Sequence, residues 1–272
     1  MDLSVSIVTY KNEKEILTKA VESVLNSTGV DFRLYIIDNS PTDEIHAWYK
    51  DERVEYIFNN ANIGFGAAHN IIMKDGSKMG RYHLVLNPDV YFDTHVLKGL
   101  LDYMDEHEDV GNIIPKVNYP NGTICPVCRL LPTPFDLLLR MFVPFQSWRQ
   151  KASNKYLMNF CDFNLIINAP YLSGCFMFIR SSILNDIGVF DDNMFMYAED
   201  VDLSRRIHQK YKTLYYPELT IIHHGAEESH TNLKLMKIHI NSCVYYLNKW
   251  GWFFDKERRE MNKQAIEGNT IK

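Results

Sequence analysis

Short apolar runs alternate with helical periodicity over the first ninety residues of this chain. The apolar runs cover residues 5–10, 34–37, 54–58 and 83–86. Between them, apolar positions recur every three or four residues over 16–25 and 67–73, which is the spacing of amphipathic helices. Asn12 is expected to cap the first of these helices. Strands that alternate with helices favour a mostly parallel sheet with helices on both faces. The pattern therefore predicts an α/β fold of the Rossmann-like kind.

The pattern after residue 90 is less regular. Helical spacing returns over 94–107 and 200–211, and a strand is predicted over 176–180. Residues 115–130 predict short strands and turns, and 238–252 form an aromatic-rich amphipathic pattern. The chain is therefore expected to end in a helical extension of the α/β fold.

Polar residues follow the predicted strands at four places, where each apolar run ends. They are Thr9, Asp38, Asn62 and Asp89. Ligands of open parallel sheets bind at the carboxyl ends of the strands, so these residues predict a binding site at one edge. Asp38 can accept a hydrogen bond from a nucleobase or a ribose, although an Asp before Asn39-Ser40-Pro41 also suits a turn.

Two acidic stretches about a hundred residues apart carry the candidate chemistry. The first ends in Asn87-Pro88-Asp89 after a buried-looking strand, and a pair of histidines, His223 and His224, lies far downstream. A hard cation can be held by one carboxylate, a histidine and the oxygens of a diphosphate. Adjacent residues of a strand face opposite ways, so at most one histidine is expected to be a ligand. The pattern indicates chemistry on a phosphorylated donor.

The second acidic stretch contains Glu199, Asp200 and Asp202. Asp200 lies between apolar residues 194–197 and Leu203, a setting that suits a general base facing an acceptor hydroxyl. The alternative is that these acids only stabilise the start of a helix. Arg205 and Arg206 follow within two turns and could reach a phosphate.

Charge and cysteine content narrow the function classes. A net charge of −5 argues against a general nucleic-acid binder. Residues 1–4 run straight into a strand-like segment, and no apolar run approaches the roughly 18 residues of a spanning helix. Five cysteines without a leader predict reduced thiols, and the pair Cys125 and Cys128 is interpreted as part of a turn. We therefore expect a cytoplasmic protein.

Several segments together resemble a known family. They are SVSIVTYKNEKEIL (4–17), YIIDNSPTD (35–43), NNANIGFGAAHN (59–70), YHLVLNPDV (82–90), the long stretch 174–207 and the histidine after PELTII. In this order they resemble the family-2 glycosyltransferases of the inverting GT-A type. More narrowly, the chain is similar to the bacterial rhamnosyltransferase-like branch that builds surface polysaccharides such as O-antigen or capsule.

The resemblance implies roles for individual residues on the nucleotide side. Thr9 and Tyr10 would border the nucleobase, and Asp38 would bond it. The loop beside the nucleotide would contain Asn62 and Gly64. Asn70 would belong to the helix behind the nucleotide. Arg206 would correspond to the arginine that the family has at this place.

The resemblance also implies the metal site and the base. Asn87 and Asp89 would form an element like D-x-D, with Asp89 reaching Mg²⁺ or Mn²⁺ and Asn87 replacing the first acid. His223 would be the second protein ligand, with His224 held in reserve. For the reaction itself, the implied residues are Asp200 as base, Glu199 as its partner and Gly174 near the acceptor.

The implied organisation and substrates follow. Residues 1–225 would form the glycosyltransferase domain, with a nucleotide-binding half (1–115) and an acceptor and catalytic half (116–225), followed by a helical extension (226–272). The donor would be a nucleotide-diphospho-sugar, with dTDP-rhamnose favoured and a UDP-sugar possible. The acceptor would be a glycan linked to polyprenyl diphosphate.

Two other classes compete with this interpretation. A sugar-nucleotide nucleotidyltransferase shares the sheet type but would need a Gly-rich, basic loop after the first strand, where this chain has residues 9–13 as TYKNE. A non-catalytic module that binds a sugar nucleotide or a glycan would have lost its base, and Asp200 is present.

Two basic, partly apolar segments raise the question of where the protein works. Residues 129–155 and 234–272 each carry a net charge of +4, around the apolar run 137–145 and the aromatic run 250–254 respectively. Apolar side chains flanked by basic ones suit a membrane interface that contains anionic lipid. The segments could dock the protein on the cytoplasmic face of the inner membrane. Alternatively, they could pack on each other or on a second subunit of a homodimer.

Overall fold

A computed structural model describes residues 1–137, 146–225 and 233–270 of the chain. The strands are β1 Leu3–Thr9, β2 Phe32–Asp38, β3 Val54–Phe58, β4 Tyr82–Leu86, β5 Val90–Phe92, β6 Val110–Asn118, β7 Cys128–Arg129, β8 Ile167–Asn168, β9 Tyr171–Leu172, β10 Phe176–Arg180 and β11 Lys212–His223. The helices are α1 Lys14–Leu25, α2 Phe65–Met73, α3 Val96–Glu106, α4 Pro134–Leu137, α5 Gln146–Tyr156, α6 Leu184–Ile187, α7 Glu199–His208, α8 Leu233–Trp250 and α9 Lys256–Asn269.

One mixed sheet organises the described part of the chain. Its strand order is β3-β2-β1-β4-β10-β6-β11-β5, and β8 pairs with β11. The first four strands are parallel, as the alternation of strands and helices predicts. β10 then runs antiparallel between β4 and β6, while β11 lies parallel to β6. The second half of the chain therefore extends the parallel sheet with strands of both directions.

Helices cover both faces of the sheet, which explains why its central strands are apolar throughout. On one face, α1 and α3 pack against side chains such as Val5, Ile7 and Leu84. On the other face, α2 and α7 pack against side chains such as Ile37 and Val85. This two-faced burial confirms the predicted α/β architecture.

The start of α1 differs from the sequence prediction. Asn12 was expected to cap this helix, but the residue before the helix is Glu13, which makes no side-chain capping bond. The Asn12 side chain instead accepts a hydrogen bond from the backbone N–H of Tyr10, at 2.9 Å. Asn12 thus closes a local turn at the end of β1 by bonding a backbone N–H two residues before it, and it is not available as a helix cap.

A row of buried polar side chains crosses the centre of the sheet. His83 lies between two serines, with its Nδ1 2.8 Å from Ser4 Oγ and its Nε2 2.9 Å from Ser6 Oγ. The Ser6 hydroxyl also lies 2.7 Å from Nδ1 of His69. Both imidazoles have no solvent exposure, and burial lowers the pKa of His83 to about 3. Burial likewise lowers the pKa of His69 well below its ordinary value.

These neutral histidines predict a specific loss of stability in acid. The unfolded chain binds a proton at His83 below pH ~6.5, but the folded chain does so only near pH 3. The free energy of unfolding should therefore fall as the pH drops through this window, by up to about 1.4 kcal/mol per pH unit for this group. Urea titrations of His83→Asn should show a flatter pH dependence. The surface control His95→Gln should follow the wild-type curve, and equal slopes for all three proteins would contradict the assignment.

The C-terminal helices α8 and α9 pack against α7, and so confirm the predicted helical extension. Arg205 of α7 is 1% exposed and donates to both carboxylate oxygens of Asp255, at 2.6 and 2.8 Å. The indole of Trp250 donates to Asp202 at 2.7 Å, and Ser242 donates to the carbonyl of Met196 at 2.9 Å. The extension thus supports the helix that carries the predicted base, whereas the division into domains at 115 and 225 stays a prediction.

No helix in the described ranges is long and apolar enough to cross a membrane. The five cysteines are buried free thiols, as the sequence predicts for a reduced protein. The apolar run 137–145, which the membrane hypothesis uses, lies outside the described residues beyond Leu137.

Candidate active site

The first acidic stretch and the downstream histidine meet at the edge of the sheet. β5 begins directly after Asp89, and it pairs antiparallel with β11 so that Val90 faces His223. This register places Nε2 of His223 3.3 Å from the Asp89 carboxylate. The neighbouring His224 is exposed and contacts the same strand end only through its backbone N–H, which donates to the Asp89 carbonyl. Of the two histidines, His223 is therefore the one that shares a site with Asp89.

The interaction between Asp89 and His223 favours the charged form of each side chain. Burial opposes ionisation of Asp89, but the hydrogen bond and charge of His223 outweigh it, so the pKa of the Asp89 carboxyl is lowered. Burial also opposes charge on His223, but Asp89 and the nearby thiols of Cys125 and Cys175 raise the pKa of its imidazole. The backbone N–H of Gly225 adds a further donor to Asp89, at 3.2 Å.

A divalent cation fits this pair as a partial ligand set. Among the described residues, no group of three or more His, Cys, Asp and Glu side chains is arranged to hold a metal ion. Two protein ligands still suit Mg²⁺ or Mn²⁺ when substrate phosphates and water complete the coordination. His223 would bind the cation as the neutral imidazole, so the cation would take the place of the proton between His223 and Asp89. Asn87 lies two residues before Asp89, in the first position of the D-x-D-like element, and is partly exposed.

The second acidic stretch opens α7, and Asp200 is its partly exposed member. One carboxylate oxygen of Asp200 accepts hydrogen bonds from the Tyr171 hydroxyl at 2.9 Å and from the backbone N–H of Gly174 at 3.0 Å. The other oxygen accepts from the N–H of Val201 at 2.9 Å. Gly174 is close because it has no side chain: a Cβ there would lie 2.8 Å from Cβ of Asp200.

Its neighbour Glu199 has a different character. The side chain is 5% exposed, and its Oε2 has no hydrogen-bond partner in the protein. Burial and the adjacent charge of Asp200 raise the pKa of Glu199 well above its ordinary value. The neutral form of Glu199 is therefore favoured over the ionised one, whereas a general base must accept a proton, so the two acids are suited to separate roles.

The turn before α7 stores backbone strain next to these acids. Tyr197 and Ala198 both adopt positive φ, at 71° and 68°, a region that costs a non-glycine residue about 1–3 kcal/mol. The turn is held by α8, where Ser242 bonds the Met196 carbonyl and the ring of His239 lies 4.9 Å from that of Tyr197. Such strain persists only where the surroundings fix it, and it sets the direction of the first residues of α7.

The dipeptide Gly174-Cys175 connects the two acidic stretches through backbone hydrogen bonds. The backbone N–H of Gly174 bonds the Asp200 carboxylate, and the carbonyl of the next residue, Cys175, accepts from the backbone N–H of Asn87 at 2.9 Å. β10 follows directly and pairs with β4, the strand that ends at Leu86. Backbone hydrogen bonds of this dipeptide therefore link the turn that leads to Asp89 with the helix that carries Asp200, although the two acids are more than a hundred residues apart in sequence.

The predicted nucleobase contacts lie at the ends of β1 and β2. The Asp38 carboxylate accepts hydrogen bonds from Thr9 at 3.1 Å, from the Ser40 N–H at 2.8 Å and from the Tyr56 hydroxyl at 2.7 Å. Thr9 and Asp38 have no solvent exposure, whereas Tyr10 is 48% exposed. In this structure a base could reach Asp38 only after Tyr56 moves, so the direct bond stays a prediction.

The loop before α2 brings the nucleotide side to the catalytic side. The side chain of Asn62 accepts from the N–H of Gly64 at 3.1 Å. Gly64 has φ of 95°, and a Cβ there would lie 2.3 Å from the carbonyl oxygen of Phe195. Position 64 therefore requires glycine, both for its conformation and for the close approach of two backbones. Asn70 of α2 reaches the same region and donates to the carbonyl of Phe190 at 2.8 Å.

The structure does not support the predicted phosphate contact of Arg206. Its guanidinium donates to Asp202 at 2.9 Å and to the carbonyls of Ile187 and Val189 at 2.7 and 2.8 Å. These partners use its donors within the protein, so Arg206 fixes the turn before the catalytic segment. Arg205 is likewise taken up by its buried pair with Asp255.

Sequence reasoning missed one residue that contacts the predicted base and a second that contacts the first. Tyr171 donates to Asp200, and Arg129 donates to the Tyr171 hydroxyl at 2.8 Å with its guanidinium carbon 5.1 Å from the ring centre. They come together because β7 pairs with β9, which sets Arg129 opposite Tyr171. Neither strand exceeds two residues, so no periodicity in the sequence could have shown the pairing.

Comparison with known proteins agrees with this geometry. The family model described as "Glycosyl transferase family 2" matches residues 4–188. The N-acetylglucosaminyl-diphospho-decaprenol L-rhamnosyltransferase of Mycobacterium tuberculosis is 27% identical over 245 residues, which cover 84% of this chain and 77% of the relative. The rhamnosyltransferase WbbL of Escherichia coli K12 is 22% identical over 262 residues, covering 89% and 91%.

Solved structures share the fold at low identity. GalNAc-T7 with UDP, GalNAc and Mn²⁺ has a TM-score of 0.64 at 16% identity, covering 98% of this chain and 56% of that one. S. aureus TarS 1-349 in complex with UDP-GlcNAc has a TM-score of 0.62 at 17% identity, covering 98% and 72%. The chain thus spans little more than half of the first structure, and the likeness confirms the GT-A fold. Family match, relatives and fold together show that this chain belongs to glycosyl transferase family 2, in its rhamnosyltransferase-like branch.

Proposed function

We propose that this glycosyltransferase is inverting, and that it moves a sugar from a nucleotide-diphospho-sugar to a hydroxyl of a growing bacterial surface glycan. The proposal rests on the backbone hydrogen bonds by which Gly174 and Cys175 link two groups of residues. The first group, Asp89 and His223, suits the binding of a diphosphate, and the second, at Asp200, suits an acceptor hydroxyl.

Asp200 would act as the general base. It would remove the proton of the acceptor hydroxyl while that oxygen attacks the anomeric carbon from the face opposite the diphosphate. The bond from the anomeric carbon to the diphosphate oxygen breaks, and the nucleoside diphosphate leaves with the electron pair. A single displacement of this kind inverts the anomeric configuration. Burial of Glu199 raises its pKa and favours its neutral form, which would limit the negative charge beside the base.

Tyr171 and Arg129 would position that base. The Tyr171 hydroxyl and the Gly174 N–H both donate to one carboxylate oxygen of Asp200, which fixes the carboxylate plane. Arg129 in turn orients the Tyr171 hydroxyl. The second oxygen, which accepts only from Val201 among the described residues, is the one left to receive the proton.

Asp89 and His223 would hold Mg²⁺ or Mn²⁺. When bound, the cation would neutralise the negative charge that develops on the diphosphate leaving group. A structural neighbour, GalNAc-T7, is described with UDP and Mn²⁺, which supports a divalent cation. The chain's own contribution is the carboxylate of Asp89, which the Gly225 N–H and His223 hold at the strand end.

The relatives suggest the substrates. The mycobacterial relative is an L-rhamnosyltransferase that acts on N-acetylglucosaminyl-diphospho-decaprenol, as its name states. We accordingly propose dTDP-rhamnose as the favoured donor, with a UDP-sugar as the alternative, and a glycan linked to polyprenyl diphosphate as the acceptor. Such an acceptor would place the enzyme at the cytoplasmic face of a membrane.

A panel of nucleotide sugars tests the proposal. Purified protein with Mg²⁺ or Mn²⁺ should gain thermal stability from one donor by mass action. It should also release the nucleoside diphosphate faster when an N-acetylglucosaminyl-diphospho-prenol is present. Release of pyrophosphate would indicate nucleotidyl transfer instead, and binding of the donor without turnover would indicate a non-catalytic module.

Replacing Tyr171 with Phe should lower kcat while leaving the KM for the donor nearly unchanged. The substitution removes the hydroxyl that donates to Asp200 but keeps the ring under Arg129. Loss of a hydrogen bond to a charged group is worth about 1.5–3 kcal/mol, which corresponds to roughly a ten- to hundredfold loss of kcat. The loss should fall on kcat and not on donor affinity, because the hydroxyl contacts the base, which acts in the transition state.

Tyr216→Phe provides a matched control for this test. Its hydroxyl bonds Glu218 at the surface, away from the base, so the same chemical change should leave kcat as it is. If Tyr171→Phe lowered only thermal stability, with an unchanged kcat, Tyr171 would be a packing residue and not a positioning one.

A further inference from the structure

Two adjacent phenylalanines protrude from the loop between α8 and α9. Phe253 is 70% exposed and Phe254 is 92% exposed. No other large apolar side chain in the described residues is as exposed as either of them. Water contact over two neighbouring aromatic rings is unfavourable, and such patches mark interaction sites.

The loop that presents these rings is held in place. Asp255 accepts both donors of Arg205 and the N–H of Arg258, which caps α9. The buried guanidinium of Arg258 donates to the carbonyl of Trp252 at 2.9 Å and to that of Pro132 at 3.2 Å. The protein thus fixes the backbone on either side of the phenylalanines, so their exposure is built into the fold.

A groove of about 630 Å³ runs beside the loop. Its walls come from residues 130–136, from α5 and from α9, and its apolar lining includes Leu130, Pro134, Phe253 and Ile266. Leu130 directly follows Arg129, the residue that orients Tyr171. The groove therefore begins one residue along the chain from Arg129, and its wall includes Phe253, the neighbour of Phe254.

The charged side chains of the groove favour an anionic occupant. Four are basic and two are acidic, and the two are Asp136 and Glu267. Asp136 accepts the N–H and the hydroxyl of Thr133, and Glu267 lies 4.0 Å from Lys263. Lys155 and Arg259 make no ion pair with any described residue. Two unpaired cations thus flank an apolar groove that ends in exposed phenylalanines.

We propose that the α8–α9 loop and this groove form a docking surface for an anionic lipid bilayer. Phe253 and Phe254 would insert at the level of the headgroups, and Lys155 and Arg259 would contact lipid phosphates. Aromatic side chains beside basic ones suit this interface, because the rings can contact the acyl chains while the cations contact the hydrated headgroups. The inference does not depend on the proposed chemistry, because docking requires neither donor nor turnover.

The positive charge of this surface favours a lipid bilayer as its partner over a second copy of the chain. A bilayer with anionic lipid attracts each nearby cation with roughly 1 kcal/mol, and salt screens the attraction. A symmetric contact between two copies would instead bring Lys155 and Arg259 of each copy toward the same cations of the other. Repulsion of like charges disfavours that arrangement, which is why we choose the bilayer.

Co-sedimentation with vesicles tests the proposal. The full chain should bind vesicles of phosphatidylcholine with 30% phosphatidylglycerol at low salt, and bind vesicles of pure phosphatidylcholine much less. Phe253→Ser with Phe254→Ser should lower the partition coefficient about tenfold or more, since each removes a ring that would be buried. Lys155→Gln with Arg259→Gln should reduce both the binding and its dependence on salt.

Leu165→Ser with Ile166→Ser is the matched control. These two adjacent residues are 62% and 44% exposed, and they line no part of the groove. This variant should bind vesicles as the wild type does. Absence of binding by the wild-type chain, or equal loss in the control, would overturn the proposal. Light scattering that shows a dimer in the wild type and a monomer in the phenylalanine variant would assign the surface to a second copy.

Binding by Asp200→Asn distinguishes this inference from the catalytic proposal. The variant should dock on the same vesicles even if it transfers no sugar. If the wild type docks but no donor is turned over, the docking surface stands and the proposed function fails.

Discussion

Asp200→Asn is expected to lower kcat by about 10²–10⁴-fold, the usual range for removal of a general base. Donor affinity should change little, because the base acts on the acceptor hydroxyl in the transition state. The substitution keeps the size of the side chain and leaves the Tyr171 and Gly174 donors one oxygen to bond. Steady-state kinetics with the best donor of the panel, together with its dissociation constant, provide the test.

Glu199→Gln is the matched comparison. Because burial raises the pKa of Glu199 and favours its uncharged form, an amide of the same shape should replace it well, and we expect most of the activity to remain. The two variants thus distinguish neighbouring acids that the sequence alone cannot separate. If Glu199→Gln were the inactive variant and Asp200→Asn retained more than about a tenth of kcat, the roles would be reversed.

Asp89→Ala is expected to weaken binding of the nucleoside diphosphate by at least about tenfold, or ~1.4 kcal/mol, when Mg²⁺ or Mn²⁺ is present. It should also remove the dependence of that binding on the metal. Calorimetric titrations with metal and with EDTA measure both effects. Equal affinity of the wild type under the two conditions would mean that donor binding needs no cation.

His223→Ala and His224→Ala form a matched pair for the same site. His223 contacts the Asp89 carboxylate, while the exposed His224 contributes only its backbone N–H. His223→Ala should therefore reproduce the effect of Asp89→Ala, and His224→Ala should behave like the wild type. The opposite ranking would move the second ligand to His224.

The sequence predicted the strands and their polar ends because both depend on local pattern. The four apolar runs became β1 to β4, and the residues just after them lie at one edge of the sheet, as parallel strands require. The meeting of Asp89 with His223 was implied by the family resemblance. The structure adds its physical cause, which is the antiparallel register of Val90 with His223.

The sequence could not predict contacts made by very short or distant elements. Tyr171 and Arg129 lie on two-residue strands that leave no periodic signal, and the contacts of Tyr171 with Asp200 and of Arg129 with Tyr171 depend on the tertiary fold. Arg206 fits the family pattern by position, yet its donors are taken by Asp202 and two carbonyls that only the folded turn brings near. The raised pKa of Glu199 likewise follows from burial, which a helix-start pattern does not reveal.

The most direct test of the central claim is the anomeric configuration of the product. The active donor of the panel should be incubated with the enzyme, a divalent cation and an N-acetylglucosaminyl-diphospho-prenol, and the new glycosidic bond followed by NMR. A single displacement assisted by Asp200 predicts a configuration opposite to that of the donor, with one nucleoside diphosphate released for each bond formed. A product that retained the donor's configuration, or one that carried the nucleotide, would contradict it.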